Sequence, residues 1–281
     1  MTVKIVTDSS CDLPAELVQE LGITIVPLYV RFGEEVYREQ VDIGLDEFYQ
    51  RLEHGTIHPV TIQPSPQDFA TAYQKLSPEA DGIVSIHISS KLSGTCNSAL
   101  QGKEMIEKGC PIAVIDSQSV TMGLGLIDIV AATMAKAGES LSSVVKEVEQ
   151  TIPNIHLLGL LDTLKYLALG GRIGKAKALL GSVLNVKPMI TLKEGEVVPA
   201  GQVRSRSKGV ERLFSFAESA TDIEDLAIAY NTTPEEAQAL AERLGSIYTK
   251  EAIRVFRLGT TLGVHMGPGG LVVGFRQKKP V

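Results

Sequence analysis

Tryptophan is absent from this 281-residue chain, and aromatic residues make up only 5% of it, so aliphatic side chains supply most of the 44% that is hydrophobic. Positive charge is also scarce: 27 Lys and Arg stand against 33 Asp and Glu, a formal net charge of −6. With no run of Lys or Arg, the chain has no electrostatic footprint for nucleic acid or an anionic membrane surface. Any anionic ligand must be caught locally, by a few placed groups. The three cysteines, Cys11, Cys96 and Cys110, form neither a CxxC pair nor a metal-ligand spacing, which fits free thiols in a reducing compartment. No stretch approaches the roughly 18 apolar residues that a membrane-spanning helix needs, and MTVKIVTDSS opens on a strand pattern rather than on a basic region followed by an apolar one. The expectation is a soluble cytoplasmic protein with no stable membrane insertion.

Catalytic signatures are missing too. A nucleophile elbow needs Gly-x-Ser-x-Gly, but Lys91 and Thr95 occupy the outer positions around Ser93. A Walker A loop needs four residues between its glycines and Ser or Thr after its Lys; Gly170 and Gly174 enclose three, and Ala176 follows Lys175. Gly123-x-Gly125 continues to Asp128 without a third glycine, and no HExxH or EF-hand pattern occurs. These absences favour a binding protein over an enzyme.

What is present is the alternation of an α/β fold. Val3 to Thr7 is a β-branched strand closed by Asp8-Ser9-Ser10, and Pro14 opens a helix that Gly22 ends. Ile23 to Phe32 reads as one strand despite Pro27, with Val36 to Val41 pairing back across Gly33-Glu34-Glu35. The stretch His58 to Pro66 carries three prolines and reads as a stiff, extended loop. Asp81 to Ile88 is an apolar strand, Asn97 to Lys108 a helix and Pro111 to Ile115 the next strand, the grammar of a parallel sheet. Beyond residue 152 the pattern changes: strand Ile155 to Leu161, a glycine-rich loop over 170–174, helix Lys175 to Leu180, and a hairpin around Lys193-Glu194-Gly195. We therefore expect an N-terminal parallel-sheet α/β domain over 1–152 and a C-terminal mixed-sheet α/β domain over 153–281.

The strongest local signal is Ser89 to Thr95, at the carboxyl end of a parallel strand and before a helix, where ligands of open α/β sheets lie. Ser93 is a natural N-cap. Gly94 lets a ligand approach the backbone, and the amides opening the helix turn positive partial charge toward an anion. Thr61 lies in the proline-rich stretch, where capping does not explain its hydroxyl; the ordinary alternative is an exposed strand-edge threonine. Two hydroxyls and a helix terminus suit a carboxylate or a phosphate oxygen. His265 stands among the glycines between Gly259 and Gly270 and reads as a loop histidine beside a ligand, protonated if it faces an anion. Arg172, Lys175, Arg204 and Arg206 read as a local basic face for a partner or its nucleotide. The competing enzyme reading makes Ser93 a nucleophile and His265 its acid or base, acting on a small acyl or phosphorylated substrate.

Thr7-Asp8-Ser9-Ser10, Gln63-Pro64-Ser65-Pro66, Ile88 to Thr95, Asp162-Thr163-Leu164, Gly170-Gly171-Arg172-Ile173 and His265 to Gly269 together resemble the DegV family, in the family's order and across essentially the whole chain, 3–279. That resemblance implies two α/β domains with a long-chain fatty acid such as palmitate or oleate between or beside them, and no cofactor other than this ligand. It implies carboxylate ligands at Thr61 and Ser93, with His265 nearby, and Gly94 joins this expected head-group site through its backbone. Members of the FakB type present the carboxyl group to a separate fatty acid kinase, which makes an acyl phosphate for phospholipid synthesis; the positions tied to that kinase are Arg172 and Arg204. Where relatives have Thr-Thr-Ser-Gln-Pro, this chain has Val60-Thr61-Ile62-Gln63-Pro64, keeping one hydroxyl of three. At about 0.8 kcal/mol per buried CH₂, a sixteen-carbon tail contributes on the order of 10 kcal/mol gross, and the head group mainly fixes orientation.

Overall fold

The structure, a computed structural model, describes residues 1–179, 186–249 and 252–278. In chain order the elements are β1 Val3–Asp8, α1 Ala15–Leu21, β2 Ile23–Val26, β3 Tyr29–Phe32, β4 Glu35–Arg38, α2 Leu45–His54, β5 Val60–Ile62, α3 Pro66–Leu76, β6 Gly82–His87, α4 Thr95–Glu104, β7 Ile112–Asp116, α5 Met122–Lys136 and α6 Leu141–Thr151. They continue as β8 Ile155–Leu160, α7 Lys165–Leu169, β9 Lys187–Lys193, β10 Glu196–Val203, α8 Arg206–Glu218, β11 Ile223–Tyr230, α9 Pro234–Leu244, β12 Ile253–Arg257, α10 Thr260–Met266 and β13 Leu271–Gln277. The helix expected over Lys175 to Leu180 is a 3₁₀ segment, Gly174–Leu179; Leu180 lies outside the described residues, as does residue 279.

Among the described residues the strands make three sheets. A parallel one has the order β2-β1-β6-β7, and a six-stranded one runs β10-β9-β8-β13-β11-β12. In the latter only β11 and β12 pair in parallel. The parallel and mixed sheets are those expected for the two halves of the sequence. The third sheet, β4-β3-β5, is antiparallel, and two readings change because of it. Ile23 to Phe32 is not one strand: the chain breaks at Pro27, which has no amide to donate, and β2 and β3 join different sheets. His58 to Pro66 is not all loop: its extended backbone pairs with β3 over three residues, Thr61 opposite Val30.

Helix α5 fills the space between the parallel and mixed sheets. Ten of its fifteen residues are buried, from Met122 to Ala132, as in a helix whose first three turns are enclosed by the core, while its last turn reaches solvent at Thr133 and Lys136. The largest core cluster runs through it, joining Val84 and Ile86 of β6 to Leu157 of β8 and Val272 of β13. Such continuous packing makes each apolar side chain worth about 1.5–3 kcal/mol over its exposed state.

Candidate functional site

At the carboxyl ends of β1 and β6 the chain turns into polar loops, as open parallel sheets require. The loop after β6 is tied down by its own serines: Ser89 N–H donates to the Ser119 carbonyl at 2.9 Å, and Ser93 N–H to the Ser89 carbonyl at 3.1 Å. The Ser89 hydroxyl donates to Gly195 O at 2.8 Å, pinning the β9–β10 turn onto the loop. Ser93 is not the N-cap of α4. Gly94 holds that place without a side-chain bond, and the helix starts at Thr95, ahead of the expected Asn97. Ser93 Oγ instead lies 2.8 Å from Thr95 Oγ1 and accepts weakly from Thr95 N–H at 3.3 Å. Gly94 is packed beneath the Gln63 amide, where a Cβ would collide with it. Gln63 Nε2 in turn donates to Ser98 Oγ at 2.9 Å.

Thr61 is the inward residue of β5, between exposed Val60 and Ile62, and its Oγ1 lies 3.0 Å from His265 Nε2. His265 is not on a loop: Gly259 and Gly267 flank a short helix, α10, and cap its two ends. The amino end of α10 is held by a buried carboxylate the sequence reading missed. Glu39, 1% exposed, accepts from Ser9 Oγ at 2.6 Å, Thr260 Oγ1 at 3.0 Å, and Thr261 N–H and Oγ1 at 2.7 Å each. Asp12 accepts from Gly259 N–H at 2.8 Å. Burial first, then the neighbouring Glu39 charge, raises the Asp12 carboxyl well above its ordinary range.

Burial, then the charge of Arg172 and then that of His58, pushes His265 down to about 4. The imidazole is therefore neutral at neutral pH. Its Nδ1 is buried without a partner and faces Gly170, where a Cβ would collide with it. A buried unpaired N–H is rarer than an under-satisfied acceptor, so we assign the proton to Nε2, which donates to Thr61 Oγ1. That leaves the Thr61 hydroxyl hydrogen free to point away from His265, toward the cavity.

Thr61, Ser93, Arg172 and His265 all border one cavity of about 320 Å³, in the range of sites that hold small organic ligands. Gly94 does not border it; Gln63 does. The four groups form one cluster: Arg172 Nε donates to Leu92 O at 3.1 Å, beside Ser93, and Nη1 to Gly170 O at 2.7 Å, beside His265. Away from that cluster the walls are mostly apolar, with Ile88, Leu157, Leu167, Ile190, Met266 and Val272 among them, interrupted by Thr121, Thr191 and Thr261. Arg204 is exposed between β10 and α8 and does not border the cavity. The basic face expected from four cations does not form. Lys175 pairs with Glu196 at 2.7 Å, and Arg206 is taken by Glu236 at 2.5 Å and Asp162 at 3.3 Å. Acidic neighbours distant in sequence neutralise both, and no local motif shows them.

The wall residues also escaped the sequence reading, because β8, β9, β13 and α10 meet only in the fold. One signal was available: Gly159 interrupts a run of leucines in β8, and a glycine there often marks a place that something approaches closely. Among the described residues, no helix is long and apolar enough to cross a membrane.

The fold and the cavity define a class of α/β protein in which a parallel and a mixed sheet enclose an apolar space with hydroxyls, a neutral imidazole and a guanidinium clustered at one part of its wall. The family described as "Uncharacterised protein, DegV family" matches residues 2–278, and the chain belongs to the DegV family. A DegV domain-containing protein of Streptomyces coelicolor is 38% identical over 281 residues, covering 98% of this chain and 99% of that one. The solved structure of a DegV family protein from Thermus thermophilus, described by its fatty acid binding, superposes with a TM-score of 0.90 at 35% identity, covering 99% of this chain and 100% of that one. A stearic acid-binding protein from Eubacterium ventriosum superposes at 0.89 with 29% identity, covering 98% of each chain.

Proposed function

We propose that this protein binds one long-chain fatty acid and presents its carboxyl group to a separate fatty acid kinase, as FakB-type proteins do, so that an acyl phosphate forms for phospholipid synthesis. The observation that carries this reading is the clustering of Thr61, Ser93, Arg172 and His265 on the wall of a mostly apolar cavity. The carboxylate accepts from the Thr61 and Ser93 hydroxyls beside Gly94, and His265 orients Thr61. The tail occupies the apolar remainder, where each methylene contributes about 0.8 kcal/mol. Arg172, exposed at the cluster, and Arg204 meet the kinase. In this reading residues 1–152 and 153–281 act as the two domains, and the protein itself does no chemistry. The contact of His265 with Thr61 rather than with Ser93 weighs against the nucleophile reading, which needs a base beside Ser93.

The test is a fatty-acid titration with native mass spectrometry. One acyl chain per protein is expected, and a protein that takes up neither palmitate nor oleate overturns the proposal. Replacing Thr61 and Ser93 together by Ala removes two charge-assisted bonds, together about 3 kcal/mol or a hundredfold in Kd. Arg172→Ala and Arg204→Ala are expected to leave the acyl chain bound but slow acyl phosphate formation by added kinase and ATP. Unchanged turnover in both would refute the kinase half alone.

A further inference from the structure

A second cavity, of about 690 Å³, lies farther along the inner face of the mixed sheet, between β7, the α6–β8 junction and the β9–β10 turn. Exposed Gln118, Glu149, Lys193 and Glu194 border it, so it opens to solvent. Thr61, Ser93, Arg172 and His265 do not touch it. Leu157 and Leu192 border both cavities.

Strand register explains why these two side chains stand together. Gly159 pairs with Ile190 of β9 and with Val272 of β13, and these three make one row across the inner face, all bordering the first cavity and not the second. Two residues along each strand, side chains return to the same face. The next row is therefore Leu192, Leu157 and Gly274, with Leu157 opposite Gly274. The Thr191 hydroxyl donates to Leu157 O at 2.6 Å, fastening the two strands at this row. Gly274 has no side chain, and a Cβ there would collide with Leu157 Cδ2 and Met122; the missing side chain is what lets Leu157 lean across.

We propose that Leu157 and Leu192 form the end wall of the acyl cavity and set the longest fatty acid the protein accepts. This rests on the fatty-acid reading above. A tail gains about fourfold in affinity for each methylene it buries. Past the wall a longer tail enters a wet groove edged by Asp116, Glu149 and Glu194, where that gain stops. Removing the wall joins the two spaces; enlarging it shortens the first.

The experiment is competition binding of saturated fatty acids from about 12 to about 22 carbons, where each buried methylene registers as that fourfold step. In the wild type, affinity rises to a maximum and then levels or falls. Leu192→Ala and Leu157→Ala remove three carbons each and are expected to move the maximum about two carbons longer, and Leu192→Phe to move it shorter. Leu192 is only half-buried, so its variants keep the test decisive if Leu157→Ala does not fold. An unmoved maximum in folded Leu192→Ala and Leu192→Phe overturns the wall and leaves the fatty-acid reading standing. No binding of any chain by the wild type overturns both.

Discussion

Protonating His265 should unfasten the protein, and the size of the effect follows from its surroundings. The ring is held at about 4, against an ordinary 6.5, by burial and then by Arg172 and His58. A depressed basic group binds its proton less readily folded than unfolded. Its contribution to stability is full above about pH 6.5 and is lost as pH falls toward about 4. Two and a half pH units correspond to about 3 kcal/mol, a large share of the 5–15 kcal/mol typical of a domain. Urea unfolding at pH 7, 5.5 and 4.5 measures the loss, and His265→Gln, which keeps a donor for Thr61, isolates it from the carboxylates that titrate in the same window. The expected difference in slope between the two proteins is the His265 share. An NMR titration locates the pKa directly, and a bound fatty-acid carboxylate should raise it, because a nearby anion favours the imidazolium. A ligand-free His265 that titrates near 6.5, or an acid slope identical in His265→Gln, would refute the reasoning.

Two further outcomes test the cavity and the core. Gly159→Leu places its Cβ 3.4 Å from Ile190 and 3.7 Å from Val272, ordinary contacts, and sends the rest of the side chain into the cavity. Fatty-acid affinity should fall by about a hundredfold or more while stability changes by only about 1 kcal/mol; isothermal titration and thermal melts read the two effects, and unimpaired binding would show that the tail lies elsewhere. Asp128, wholly buried in α5 beside Thr7, has its pKa raised well above the ordinary value, chiefly by burial. It folds protonated, so stability falls as pH rises from the ordinary carboxyl pKa toward the folded one, at about 1.4 kcal/mol per unit of displacement. Asp128→Asn should stabilise the protein more at pH 8 than at pH 5; an equal change at both would contradict this.

How much of this could be read from the sequence depended on the range of the interactions. The β6–loop–α4 unit was legible because strand, serine-rich turn and helix are contiguous. Pro27 was visible, but its effect was not: the third sheet that captures β3 needs β5, some thirty residues on. The glycines around His265 were read as a loop because each favours one. Yet Gly259 and Gly267 stand at helix ends, and Gly263 is where α10 packs against Phe48 and Tyr49 too closely for a side chain. The helix between them is held by Glu39, from another part of the chain. Thr61, Ser93, Arg172 and His265, each singled out from its local setting, border one cavity, but the apolar wall was not legible, because its residues share no local pattern.

The clamp on α10 has a consequence for how the protein comes into being. Glu39 with Thr261, Asp12 with Gly259, Tyr49 with Leu258 and Thr61 with His265 all join positions more than two hundred residues apart. A ribosome delivers the first partner of each pair long before the second, and such distant closures are slow. On the nascent chain the parallel sheet has all its strands once β7 has emerged, but the cavity has no α10 wall until residue 266 follows. During that interval the future ligand surface is bare hydrocarbon, open to chaperones and to neighbouring chains. A ligand that depends on His265 can be held only once α10 has been made and has docked.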